Sequence, residues 1–137
     1  MKKLVSFLLV LLLLSCKDSD SDNIPADMAG LMAGQYTVTS EISDGVSNPR
    51  YGDGDYAKME VTKINIDHID VDFDGRFYRY SWPFLLKKDG DQIKIYVDGE
   101  PTEVGTFSKN RISVQLIKQV LADYGIKKSL YVEGTKK

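Results

Sequence analysis

Apolar residues fall along the chain in three textures. Leu4 to Leu14 is an almost unbroken apolar run, interrupted only by Ser6, with Lys2 and Lys3 in front of it. Its length lies within the ~7–15 residues of a signal-peptide core and short of the ~20 that a helix needs to cross a bilayer. Residues 1–15 therefore read as a signal peptide. Lys17 to Asn23 is polar almost throughout, has little to bury, and predicts a disordered acidic tether over residues 16–30. From about Met32 the texture becomes short alternating segments punctuated by turn residues, which predicts one domain over residues 31–137.

Within that domain Gly34 to Ile42 reads as a strand with Tyr36, Val38 and Ser40 on one face. Asp44 to Asp55 holds Gly45, Asn48, Pro49, Gly52 and Gly54 and reads as a long loop. Lys58 to Ile64 alternates again, with Met59 and Val61 inward. Apolar parity then changes, because Ile64 and Ile66 are even while Ile69, Val71 and Phe73 are odd. A one-residue slip would turn a strand inside out, so the pattern requires a turn or bulge near residues 65–68. Asp74-Gly75 predicts a tight hairpin into Arg76–Leu86, and Asp89-Gly90-Asp91 a turn into Gln92–Val97. Another turn at Asp98–Pro101 precedes Glu103–Phe107, which pairs with Arg111–Leu116 across Lys109-Asn110; a last strand covers Leu130–Glu133.

One stretch has a different period. Leu116, Ile117, Val120, Leu121 and Tyr124 recur with helical spacing and Gly125 stands at a C-cap position, which predicts a short helix before the last strand. The predicted fold is all-β: an antiparallel up-and-down meander of about eight strands, closed into a barrel so that no edge is exposed. An open β-sandwich is the alternative.

Leu13-Leu14-Ser15-Cys16 resembles the lipobox of bacterial lipoproteins. Ser15 and Cys16 match its small residue and obligatory cysteine, and Leu13 suits the position three before the cut. The resemblance implies a diacylglyceryl group on the Cys16 thiol and cleavage in front of it. Cys16 is the only cysteine, so lipidation accounts for it and no disulfide forms within the chain. One acyl chain binds a membrane marginally, whereas the several chains of this modification would hold the protein there. The acidic run behind Cys16 is similar to the signal that sends some Gram-negative lipoproteins to the outer face of the outer membrane. Lys17 stands where an inner-membrane retention aspartate would be. These features imply an outer-membrane anchor with cell-surface display; a periplasm-facing anchor is the alternative.

The meander is similar to the lipocalin and calycin group, whose first strand often opens with Gly-x-Trp after a short helical turn. Here Gly34-Gln35-Tyr36 follows the helix-compatible Asp27–Met32, with Tyr in place of Trp. The likeness implies a barrel that holds one small apolar ligand or is filled by its own side chains.

The formal net charge is −2, and removal of Lys2 and Lys3 makes the mature chain two units more acidic. Basic residues are interspersed with acids and form no stripe, which argues against nucleic acid as a partner. Asp70-Val71-Asp72-Phe73-Asp74-Gly75 matches the first half of an EF-hand loop, but the twelfth position is Ser81 and not a bidentate Glu. A strand with an acidic outer face explains it better. His68 is the only histidine and lies in a predicted turn, so neither a Cys–His pair nor a metal cluster is available to it. No catalytic residue, metal ligand or cofactor is assigned.

Phe77 to Leu86 is the densest aromatic stretch. Tyr78, Tyr80, Trp82 and Phe84 alternate onto one face, as core or pocket lining if inward and as a stacking platform if exposed. The sequence therefore predicts a membrane-anchored, non-enzymatic barrel that binds a small hydrophobic ligand, with Tyr78, Tyr80 and Trp82 as its lining. One alternative is a cell-surface accessory or adhesion module that meets a protein or glycan through an exposed aromatic patch. A further one is a hydrolase using two carboxylates.

Overall fold

The computed structural model describes residues 25–47, 57–75, 79–116 and 129–137. Among the described residues one short helix α1 (Met28–Met32) precedes nine strands: β1 (Gly34–Ser43), β2 (Val46–Ser47), β3 (Lys58–Lys63), β4 (His68–Asp74), β5 (Arg79–Asp89), β6 (Gln92–Val97), β7 (Glu103–Ser108), β8 (Arg111–Leu116) and β9 (Leu130–Lys136). Every pairing is antiparallel. Apart from the two-residue β2, the strands neighbour one another in chain order, and β9 returns to pair with β1. The molecule is thus a closed eight-strand barrel with β2 as an extra ribbon on β1. The β1–β9 ladder, from Tyr36↔Lys136 to Ser43↔Leu130, decides against an open sandwich. The sequence-predicted helix at 116–125 lies outside the described residues beyond Leu116, as do the lipobox and the tether up to residue 24.

Inside-outside alternation along the strands follows the binary pattern. Met59 and Val61, then Ile69, Val71 and Phe73, then Trp82, Phe84 and Leu86 enter the core from β3, β4 and β5. Lysines, acids, serines and threonines alternate with them on the outside. That is the reverse of a barrel whose outer wall meets lipid. No helix among the described residues is long and apolar enough to cross a membrane. The parity change after β3 occurs where expected: residues 64–67 bend, and Ile64 and Ile66 are left exposed.

Some local expectations change. Asp74 pairs with Arg79, so the β4–β5 connection takes residues 75–78 and is longer than a two-residue Asp-Gly hairpin. The stretch read as a loop from Asp44 begins with a tight turn instead. Asp44 and Gly45 both have positive φ, which is the I′ geometry that matches strand twist, and they lead into β2. Lys109-Asn110 forms the second such turn, between β7 and β8.

The largest departure is in β1. Its register against β9 shifts between Val38 and Ser40, leaving Thr39 as an extra residue. Such a bulge inverts the alternation beyond it. Tyr36 and Val38 face in as expected, but past the bulge Glu41 and Ser43 are the buried residues and Ser40 and Ile42 are only half-buried.

α1 plugs one end of the barrel. Asp27 caps it by accepting from the Gly30 amide at 2.8 Å and also pairs with Lys63. Ala29 and Met32 are fully buried, and the Ala29 amide donates to the Ile66 carbonyl at 3.1 Å. The Tyr36 hydroxyl donates to the Met32 carbonyl at 2.6 Å. The packed domain thus begins before residue 31. The tight turns at 64–67, 90–91 and 109–110 lie at this end, and the strand ends at Ser43, Asp74, Arg79, Leu116 and Leu130 lie at the other.

Candidate binding site at the end opposite the helix

Toward the end away from α1, direct cross-strand partners stack in the barrel wall: Phe73 with Tyr80, Val71 with Trp82, and Ile69 with Phe84. The Phe73 and Tyr80 rings lie 5.4 Å apart at a tilt, and the Tyr80 and Trp82 rings meet edge to face at 6.3 Å. These are favourable aromatic geometries that hold each ring in place. The aromatic row therefore faces inward. Trp82 is 6 % exposed and Phe84 fully buried, while Arg79, Ser81 and Pro83 face out. An exposed stacking platform on this strand is ruled out for Trp82 and Phe84. Tyr78 and Cys16 lie outside the described residues.

Two polar side chains reach the same end from β1. Glu41 is 1 % exposed and Ser43 is also buried. Sequence pattern could not reveal them, because Tyr36, Val38 and Ile42 share one parity and a straight strand would put Glu41 outside. The backbone of the β4 exit closes tightly on this carboxylate: a Cβ on Gly75 would fall on the Glu41 Oε1 and the Phe73 ring.

Tyr80 is half-buried at its ring, yet its hydroxyl is shielded and has no hydrogen-bond partner among the described residues. Burial, and secondarily the Glu41 charge, push its pKa far above the ordinary tyrosine range. The hydroxyl therefore stays protonated. It is a shielded donor with no acceptor among the described residues, and such a group is costly unless an acceptor arrives.

Below this level the barrel is filled by its own side chains, among them Phe84, Leu86, Ile93, Ile95 and Ile112. Space for a molecule is found near the rim, on the outer side of β3, β4 and β5. A concavity of about 600 Å³ runs past Phe73 and Tyr80 and is flanked by Lys58, Glu60, Asp72 and Arg79. Trp82 does not line it, so the expected lining separates: Tyr80 borders open space and Trp82 supports it from behind.

Asp70, Asp72 and Asp74 alternate with core residues along β4, and Ser81 donates to Asp70 at 2.9 Å. An extended strand cannot wrap a calcium ion as an EF-hand loop does. No group of metal-ligating side chains occurs among the described residues. Glu60 and Asp72 are cross-strand partners standing side by side on the outer face, not acids opposed across a cleft. His68 opens β4 with its Nδ1 2.7 Å from Asp67 and its Nε2 3.8 Å from Asp98.

Comparison with protein-family models, with curated proteins and with solved structures returns no match.

Proposed function

We propose that the chain is a non-enzymatic binding protein, lipidated at Cys16 and displayed at the outer-membrane surface, that takes a small, largely apolar ligand at the end of the barrel opposite α1. The observation that carries this reading is the shielded Tyr80 hydroxyl, without a hydrogen-bond partner among the described residues, on a side chain that borders open space. A folded chain that needed Tyr80 for packing alone would do as well with phenylalanine. The barrel architecture is compatible with a lipocalin-like binder, and on this reading the ligand rests against Tyr80, backed by Phe73 and Trp82, with Tyr78 next in the row by sequence.

The same geometry narrows the ligand. It needs one hydrogen-bond acceptor for the Tyr80 hydroxyl. The negative field of Glu41, which already acts on Tyr80, disfavours an anionic acceptor such as a carboxylate. A carbonyl, ether or hydroxyl on an apolar body fits best.

Native mass spectrometry of the chain released gently from its membrane tests the proposal. The wild type should carry an adduct additional to the acyl groups, and Tyr80→Phe should lose most of it. Equal adduct occupancy in the two proteins, or none in either, refutes the site.

A further inference from the structure

Among the described residues, four large hydrophobics are exposed: Leu31 at 37 %, Ile64 at 55 %, Ile66 at 58 % and Val46 at 60 %. Three of them gather at one end. Leu31 sits on α1, and Ile64 and Ile66 form the bend that the Ala29 amide ties to the helix through the Ile66 carbonyl. Two lysines frame them. Lys63 adjoins Ile64 and pairs with Asp27, and the Lys136 ammonium donates to the Leu31 carbonyl at 2.7 Å. Aliphatic side chains with lysines at their border, here with Asp27 and Asp67 beside them, suit a surface that meets the headgroup layer of a bilayer, with the apolar groups entering it.

The direction of the chain names the occupant. The described chain enters the barrel at residues 25–27, immediately before α1, so the segment leading back to Cys16 leaves from this end. Residues 17–26 can reach at most about 35 Å. A lipid on Cys16 therefore keeps the α1 end at high effective concentration against the membrane, where even a weak surface contact is populated.

We infer that the α1 end of the barrel, through Leu31, Ile64 and Ile66, docks on the lipid surface that carries the anchor. This rests on the lipidation of Cys16 and is independent of ligand binding. The barrel then stands with its helix plug on the membrane and the Tyr80 rim facing away from it. Val46, at the far end, stays in water.

The full lipidated chain, reconstituted in vesicles of phosphatidylethanolamine and phosphatidylglycerol, provides the test. With Cys16 acylated, a nitrobenzoxadiazole label attaches only to an introduced cysteine, at Leu31→Cys or, as control, at Val46→Cys. Lipids brominated on their acyl chains should quench the Leu31→Cys label at least twofold and leave the Val46→Cys label unchanged. Adding Ile64→Ser and Ile66→Ser, both at exposed positions, should halve the quenching at position 31 or reduce it further. Equal response at the two positions, or no effect of the serine pair, overturns docking. So does a position-31 label shielded from aqueous iodide yet untouched by brominated lipid, which would mean that a protein surface covers the patch. Intact mass separates the premise from the inference. A chain without acyl mass removes the anchor itself, whereas an acylated chain with an unquenched label removes only the docking.

Discussion

Two tyrosines in the same barrel should respond to loss of the hydroxyl with opposite signs. The Tyr36 hydroxyl is buried and donates to the Met32 carbonyl at 2.6 Å, so Tyr36→Phe strands a carbonyl at the helix plug. A satisfied buried hydrogen bond contributes about 1 kcal/mol net, and orphaning its partner raises the cost to about 1–3 kcal/mol. The Tyr80 hydroxyl is equally shielded but bonds to nothing among the described residues, so in the ligand-free protein it carries the desolvation cost without the return. Tyr80→Phe removes that cost and leaves no partner behind, which should stabilise the empty barrel by about 1–2 kcal/mol. With a urea m-value of about 2 kcal/mol/M, the unfolding midpoint should rise by about 0.5–1 M for Tyr80→Phe and fall by about 0.5–1.5 M for Tyr36→Phe. Equilibrium urea unfolding followed by Trp82 fluorescence reads both shifts, since Trp82 is the only tryptophan. A Tyr80→Phe protein destabilised by more than about 0.5 kcal/mol would show that the hydroxyl already has its partner, and the binding site would lose its principal support.

Other outcomes follow from the same packing. Met32→Ala empties the centre of the helix plug, where Met32 is fully buried, and should cost about 2–5 kcal/mol by thermal or urea unfolding. Gly105→Val should fold poorly or not at all, because a Cβ there would fall on the Ser113 carbonyl of the neighbouring strand β8, which is backbone and cannot step aside; soluble yield and near-ultraviolet circular dichroism report it. Burial raises the pKa of both Tyr36 and Tyr80. The folded state therefore holds protons that the unfolded chain releases from about pH 10, and this contribution to stability is full below that pH and lost above it. Each tyrosine should remove at most about 1.4 kcal/mol per pH unit in that alkaline range, and Tyr80→Phe should lower the slope without abolishing it, because Tyr36 and Tyr131 are raised as well.

Much of this architecture is legible in residue order because it is written locally. Period-two alternation with Gly, Asp and Asn punctuation marks β3 to β8, and the parity break at residues 64–67 is enough by itself to require a bend. The inward aromatic row is legible for the same reason: Tyr80, Trp82 and Phe84 alternate with Arg79, Ser81 and Pro83. What is not legible is decided by distant pairing. Tyr36, Val38 and Ile42 keep one parity, so nothing near Thr39 predicts a bulge; the register of β1 on β9 imposes it. Glu41 and Ser43 are hidden as a result, and with them the polar character of the barrel end. β2 is hidden too, because its turn, Asp44-Gly45, opens a stretch whose composition reads as loop throughout.

The bulge at Thr39 also changes how a difference in length would act on the site. Val38 stands opposite Gly134 and Ser40 opposite Glu133, so Thr39 is the extra residue of the ladder. Deleting it would leave a regular ladder with Ser40 still outward and Glu41 and Ser43 still inward. A strand that kept Thr39 but ran straight through this point would instead turn Ile42 into the mouth and Glu41 and Ser43 into solvent. A related chain one residue shorter here would therefore present the same polar mouth through an unbroken strand.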